Sequence, residues 1–276
     1  MLAELARYLT TPAPWPVRRL GYLKEAIGCE ARFRRCRTSW QSHLDACQDL
    51  IREATVRCPS HKRAVVLGSG GLHDVPLADL ARTFQEVVLV DVLHLPAARR
   101  RLRRFRNVRP VDRDLTGVIE ALDDLTESEP LPVPGIGGCD GLMDADLVIS
   151  PNLLFQLPIR PRTFFETRTS RPAAEVEAFC RAIAQSHLEA LASCGGTVCL
   201  ISEIENLLVD VDSAVVERDL PLAGVSLPGG GREWDWDIAP CPEAHPKYSL
   251  RYRVRGLIDP AIDTTRIAVG NQEALP

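Results

Sequence analysis

One stretch limits what this chain can fold into more than any other: RAVVLGSGG at residues 63–71, followed one helix-length later by EVVLVDV at residues 86–92. Both are short apolar runs rich in β-branched residues, as expected of parallel strands covered on both faces. The first ends in Gly68, Ser69, Gly70 and Gly71, where missing β-carbons let the main chain approach a ligand closely. The second ends in Asp91, whose carboxylate can accept from a pair of sugar hydroxyls. Between them Pro76 suits the first turn of a helix, and Leu77, Leu80, Ala81 and Phe84 recur at helical spacing. Strand, glycine turn, helix and acid-ended strand together read as half of a nucleotide-binding α/β unit.

The alternation continues along the chain. A basic helix is expected around Ala97–Arg106, a strand at NVRPV and an acidic turn at RDLTG. Residues 126–141 are rich in Pro and Gly and read as a loop. ADLVIS, ending at Ser150, supplies a strand, a polar loop follows, and Ala173–Ala192 supplies a helix that Gly195-Gly196 is expected to cap. GTVCLISEI reads as a fifth strand and Asn206–Asp219 as a further helix. REWDWDI and LRYRVRGLI both alternate polar with apolar, the pattern of an antiparallel hairpin at a sheet edge. Strands regularly interleaved with helices demand a parallel sheet with helices on both faces, and ligands then sit at the carboxyl ends of the strands.

Residues 1–60 read as an N-terminal helical extension, 61–260 as the cofactor-binding domain and 261–276 as a loose tail. A helix at Leu2–Leu9 must end before Pro12, Pro14 and Pro16, and a longer one runs to about Arg57. In the latter Phe33, Cys36, Trp40, Leu44, Cys47, Leu50, Ile51 and Ala54 form one apolar face, and Cys29, Cys36, Cys47 and Cys58 are expected on one stripe.

These features resemble the class I S-adenosylmethionine-dependent methyltransferases. That family carries a GxG turn after its first strand, an acid ending the second, an Asp-plus-apolar pair after the third and a terminal antiparallel hairpin. Here these are Gly68-Ser69-Gly70, Asp91, Asp114-Leu115 and residues 232–258. The resemblance implies a Rossmann-like fold with a mostly parallel seven-stranded sheet, and S-adenosylmethionine as cofactor. It implies cofactor contacts from Gly68, Ser69, Gly70, Asp91, Val92, Asp114, Leu115 and Asn152, the last from DLVISPNLLFQLP, where the family places its fourth strand and the loop facing the methyl group. Two positions depart from the family pattern: Val66 stands where many members carry an acid, and Leu72 where they carry a third glycine. His73 or Asp74 can replace the missing acid, although Asp74 also reads as a helix N-cap.

A formal net charge of -4 argues against a surface built throughout for nucleic acid. The run RRRLRRFR, residues 99–106, reads as a solvated helix face over Leu102 and Phe105. Nine Cys without a CxxC pair or a zinc spacing read as reduced, mostly buried thiols, and no metal is expected. No apolar run reaches the length of a membrane span and the start lacks a secretory pattern, so a cytoplasmic location is expected. The reading is a methyltransferase acting on a small molecule or a protein. His73, His94 and Glu203 stand at strand ends as candidate bases without an assigned catalytic role. The alternatives are a noncatalytic interaction module on the same fold and an NAD(P) oxidoreductase, which lacks the sixth-position glycine because His73 occupies it.

Overall fold

The computed structural model describes residues 2–136, 141–222 and 224–262, the side chains of residues 2 and 3 excepted. Three helices come first: α1 (Leu2–Thr10), α2 (Trp15–Arg19) and the 36-residue α3 (Tyr22–Arg57). They are followed by β1 (Arg63–Leu67), α4 (Leu77–Thr83), β2 (Glu86–Asp91), α5 (Pro96–Leu102), β3 (Val108–Asp112), α6 (Ile119–Asp124), β4 (Leu147–Pro151), α7 (Ile159–Arg168) and α8 (Ala173–Ala192). The chain then turns to strands: β5 (Thr197–Val209), β6 (Val215–Asp219), β7 (Arg232–Ala239) and β8 (Ser249–Ile258).

These strands form one sheet in the order β3-β2-β1-β4-β5-β8-β7, with β6 pairing the outer end of β5. The first five run parallel, and β8 lies antiparallel between β5 and β7. This is the Rossmann-like methyltransferase fold with its terminal hairpin, enlarged to eight strands by β6. Chain order reverses between β1 and β4, so the crevice at their carboxyl ends is the switch point where such sheets take ligands.

Burial explains the strand sequences. Val65, Leu67, Val88, Val90 and Val148 pack with α2, α6, α7 and α8 on one face. Ala64, Val66, Val87, Leu89 and Ile149 pack with α3, α4 and α5 on the other. The apolar stripe of α3 lies across this second face, with Cys47, Ile51 and Ala54 fully buried. Of the expected cysteine stripe, Cys36, Cys47 and Cys58 are buried and Cys29 is exposed. Pro110 is accommodated because β3 is an edge strand, where a missing N–H interrupts no ladder.

Four expectations need correction. The expected helix at Asn206–Asp219 is instead the end of β5, a turn and β6. Asp210 Oδ1 accepts the N–H groups of Asp212 and Ala214, each at 2.9 Å, and Ser213 takes φ 67°, so an aspartate-built turn makes a hairpin there. The loop before α8 contains α7, in which Pro161 is the third residue and its missing N–H has no helical partner to lose. Helix α8 ends at Ser193 rather than on the glycine pair, and Gly196 is needed for another reason: a side chain there would run into the carbonyls of Ala145 and Asp146. Asp74 does not cap α4, whose N-cap is Pro76. The tail beyond residue 262 lies outside the described residues.

Candidate functional site

Gly68 and Gly70 take φ 73° and 47°, conformations that favour glycine, and turn the chain sharply off β1. A side chain at Gly70 would meet nothing closer than Gly68 O at 3.9 Å and Asp91 Oδ2 at 4.0 Å, so that side of the turn is open. Gly68 differs: Leu153, from the loop after β4, packs over it, with Cδ1 2.8 Å from where a β-carbon would stand. Leu72 takes φ 60° with its side chain 2% exposed, so the turn keeps a glycine-like backbone while anchoring a leucine in the α3 face.

The turn is held from the side by β2 and β3. Gly70 N–H donates to Asp91 Oδ2 at 2.6 Å, and burial raises the Asp91 carboxyl while this N–H opposes the rise. Ser69 Oγ lies 2.8 Å from His94 Nε2, and His94 Nδ1 lies 2.7 Å from Asp112 Oδ1. A carboxylate accepts, so Nδ1 carries the proton toward Asp112 and Nε2 accepts from the Ser69 hydroxyl. Arg99 closes the chain on Asp112 Oδ2. Arg101 donates to Gly71 O at 3.0 Å, so part of the basic run is spent on the turn.

Val92 follows Asp91 and is half-buried, and Leu115 is buried in the opposite core. Asp114 is occupied within its own loop. Its Oδ1 accepts from the Thr116 N–H at 2.7 Å and hydroxyl at 2.6 Å, and its Oδ2 from Ile119 N–H at 2.8 Å, at the start of α6. The acid level with Asp91 across the sheet is Asp112, its partner in the β2–β3 register. Nothing local in the sequence marks Asp112, which stands two residues before the Asp114-Leu115 pair and becomes level with Asp91 only through strand register.

Asn152 sits at the end of β4 with φ 52°, 6% exposed. Its amide nitrogen donates to Asp74 Oδ2 at 2.8 Å, and its Oδ1 is buried without a hydrogen-bond partner. Burial raises the Asp74 carboxyl and the Asn152 contact opposes the rise. His43 on α3 lies 3.2 Å from the Asn152 amide and accepts from Trp234 Nε1 at 2.9 Å. Burial holds the His43 ring neutral, its pKa lowered to about 3. His73 pairs with Glu30 at 2.9 Å and stacks on Phe33, with ring centroids 3.5 Å apart, which removes it from the list of free bases. Glu203 on β5 is 5% exposed, and burial raises its carboxyl to about 7.

Among the described residues no group of three or more metal-ligating side chains is present, and no helix is long and apolar enough to cross a membrane. A hollow of about 280 Å³ lies beside α6, lined by Ala121, Asp124, Leu125, Glu129, Pro130 and Pro132. It is away from the switch point and carries none of the polar groups above.

No family model matches the sequence, and no curated protein matches it. Solved structures do. A 1,6-didemethyltoxoflavin-N1-methyltransferase from Burkholderia thailandensis, with bound 1,6-didemethyltoxoflavin and S-adenosylhomocysteine, is 14% identical over 88% of this chain and 91% of its own, with TM-score 0.38. The N-methyltransferase NodS from Bradyrhizobium japonicum, in complex with S-adenosylhomocysteine, is 13% identical over 76% and 85%, with TM-score 0.34. A methyltransferase from Leishmania major is 15% identical over 92% and 82%, with TM-score 0.35.

Proposed function

We propose that this protein is an S-adenosylmethionine-dependent methyltransferase with its cofactor across the carboxyl ends of β1, β2 and β4. The observation that carries this reading is the contact between Gly70 N–H and Asp91 at the switch point of a sheet with a terminal antiparallel hairpin. The residues fit such a group. Asp91 holds the turn at Gly70 N–H and is placed to accept from ribose hydroxyls as well, and the open side of Gly70 leaves room for the sugar. Val92, half-buried, offers apolar surface for the base. Asp74 and the unpartnered Asn152 Oδ1 form an acceptor pair suited to the ammonium of the methionine portion, in place of the acid replaced by Val66. Asp114, by contrast, serves by holding its loop.

The sulfonium supplies a methyl group that is already electrophilic. The chain's own work is then to align an acceptor with it and exclude water, and such positioning is worth roughly 7 to 11 kcal/mol of a barrier. Ser69, His94 and Asp112 fix the turn that sets this alignment.

A second reading, an interaction module on the same fold, is favoured by Leu153 lying over Gly68. Thermal unfolding separates the two. S-adenosylhomocysteine at a hundredfold excess over its dissociation constant should stabilise the chain by about 2.7 kcal/mol while NAD has no effect. Stabilisation by neither supports the interaction module, and stabilisation by NAD alone supports an oxidoreductase.

A further inference from the structure

The sheet face under the middle of α3 carries a polar arrangement around Glu203 that stands apart from the groups assigned to the cofactor. Across the hairpin, Glu203, Val254 and Trp234 stand side by side in register, and Val254 and Trp234 pack on the α3 face. Paired residues share a face, so Glu203 points toward α3 as well. His43 closes the ring, bonded to Trp234 at 2.9 Å and lying 3.2 Å from the Asn152 amide. Trp236 stacks on His43 with centroids 3.9 Å apart, and it meets Trp40 and Tyr252 edge-on at 5.0 and 5.7 Å.

The place suits an acceptor. Asn152 N–H bonds to Ile201 O, which puts the end of β4 level with Ile201 and Glu203 two residues further out on the neighbouring strand. At roughly 3.3 Å per residue and 4.8 Å per strand, Glu203 stands about one side-chain length beyond and beside the strand ends that would hold the methyl group.

The chemistry is lopsided. Glu203 is 5% exposed, and its side-chain partner is the neighbouring Ser202 hydroxyl at 3.3 Å. Among the described residues no Lys, Arg or His forms an ion pair with it. His43 is neutral, and Arg32, the cation that acts on Tyr252, is half in solvent and 3.9 Å from Glu243. Tyr252 is pushed up to about 12 by burial and by the Glu203 carboxylate beside it. A buried carboxylate without a cation is unfavourable.

We infer that Glu203, Trp236, Tyr252 and Trp40 form the acceptor site and that it takes a compact organic amine. The inference rests on the methyltransferase reading and names its acceptor class. Glu203 is the counter-ion of the ammonium form and takes its proton, which frees the nitrogen lone pair. That pair then forms the N–C bond as the S–C pair returns to sulfur. Glu203 is thereby the general base, a role suited to a buried carboxylate standing beyond the strand ends.

The test uses three probes of one size and different charge: tetramethylammonium, tert-butanol and pivalate. Each is titrated into the full chain with S-adenosylhomocysteine present, reading the fluorescence of Trp40, Trp234 and Trp236, and again into Glu203→Gln. We expect saturable binding of tetramethylammonium, at least tenfold tighter than tert-butanol, with no response to pivalate and a tenfold or greater loss in Glu203→Gln. Equal binding of tetramethylammonium and tert-butanol overturns the inference, as does a Glu203→Gln variant that binds the cation unchanged. Calorimetry with S-adenosylhomocysteine alone reads the cofactor site separately, so failure there breaks the methyltransferase reading whatever the cation does.

Discussion

The two halves of the sheet handle buried polar groups in opposite ways. At β1, β2 and β3 the strand-end groups are matched: Gly70 with Asp91, Ser69 with His94, His94 with Asp112, and Asp112 with Arg99. Across β4, β5 and the hairpin, Glu203 is buried without a cation, and Asn152 Oδ1 and Trp236 Nε1 lack partners. A satisfied network fixes one geometry, whereas unsatisfied buried groups cost stability and persist where something else supplies their partners. The first half is built as a rigid frame and the second as a receptor.

The largest expected effect separates the halves by pH. The folded-state pKa of Glu203, about 7, lies above the ordinary 4.5, so its proton is held more tightly in the folded chain. The associated stability is fully present below pH 4.5 and is lost as pH rises through about 7, a change of ~3 kcal/mol. Glu203→Gln removes that loss. Denaturant unfolding should show the variant gaining ~3 kcal/mol on the wild type between pH 4 and pH 9, and parallel curves would mean that Glu203 is paired or solvated.

In the matched half, removal of a partner should destabilise. Ser69→Ala takes away the donor to buried His94 Nε2 and should cost about 1 to 3 kcal/mol in the same measurement. A neutral result would show that Ser69 and His94 are not coupled. A smaller effect concerns the turn itself. Leu72→Ala and Leu72→Gly both lose the buried side chain, but alanine keeps the strain of φ 60° and glycine does not. Glycine should therefore be the more stable of the two by ~1 kcal/mol, and the reverse order would show that the turn adopts another backbone. Smallest is Arg101→Ala, where an exposed arginine holds Gly71 O: the expected change in melting stability is under about 0.5 kcal/mol.

The frame was legible in the sequence and the receptor was not, for a physical reason. Buried parallel strands must be continuously apolar and a close-approach turn must be glycine, so Arg63–Leu67, Gly68-Ser69-Gly70 and Glu86–Asp91 announce themselves locally. The alternation of Arg232–Ala239 and Ser249–Ile258 did the same for the hairpin. The polar clusters depend on long-range register. His43 and Trp234 are 191 residues apart and Asn152 and Asp74 are 78 apart, so no local pattern marks them as neighbours. Asp74 carried a misleading local signal, the look of a helix cap, which packing against Asn152 overrides. Asp114 has the family's expected position, but its own loop consumes both its oxygens.

Calorimetric titration of S-adenosylhomocysteine into the wild type and into Asp91→Ala tests the central claim most directly. A carboxylate accepting from ligand hydroxyls is worth about 1.5 to 3 kcal/mol per hydrogen bond, so saturable one-to-one binding should weaken roughly a hundredfold in the variant. Equal affinity in the two proteins, or no heat with either, would contradict a cofactor site at the glycine turn.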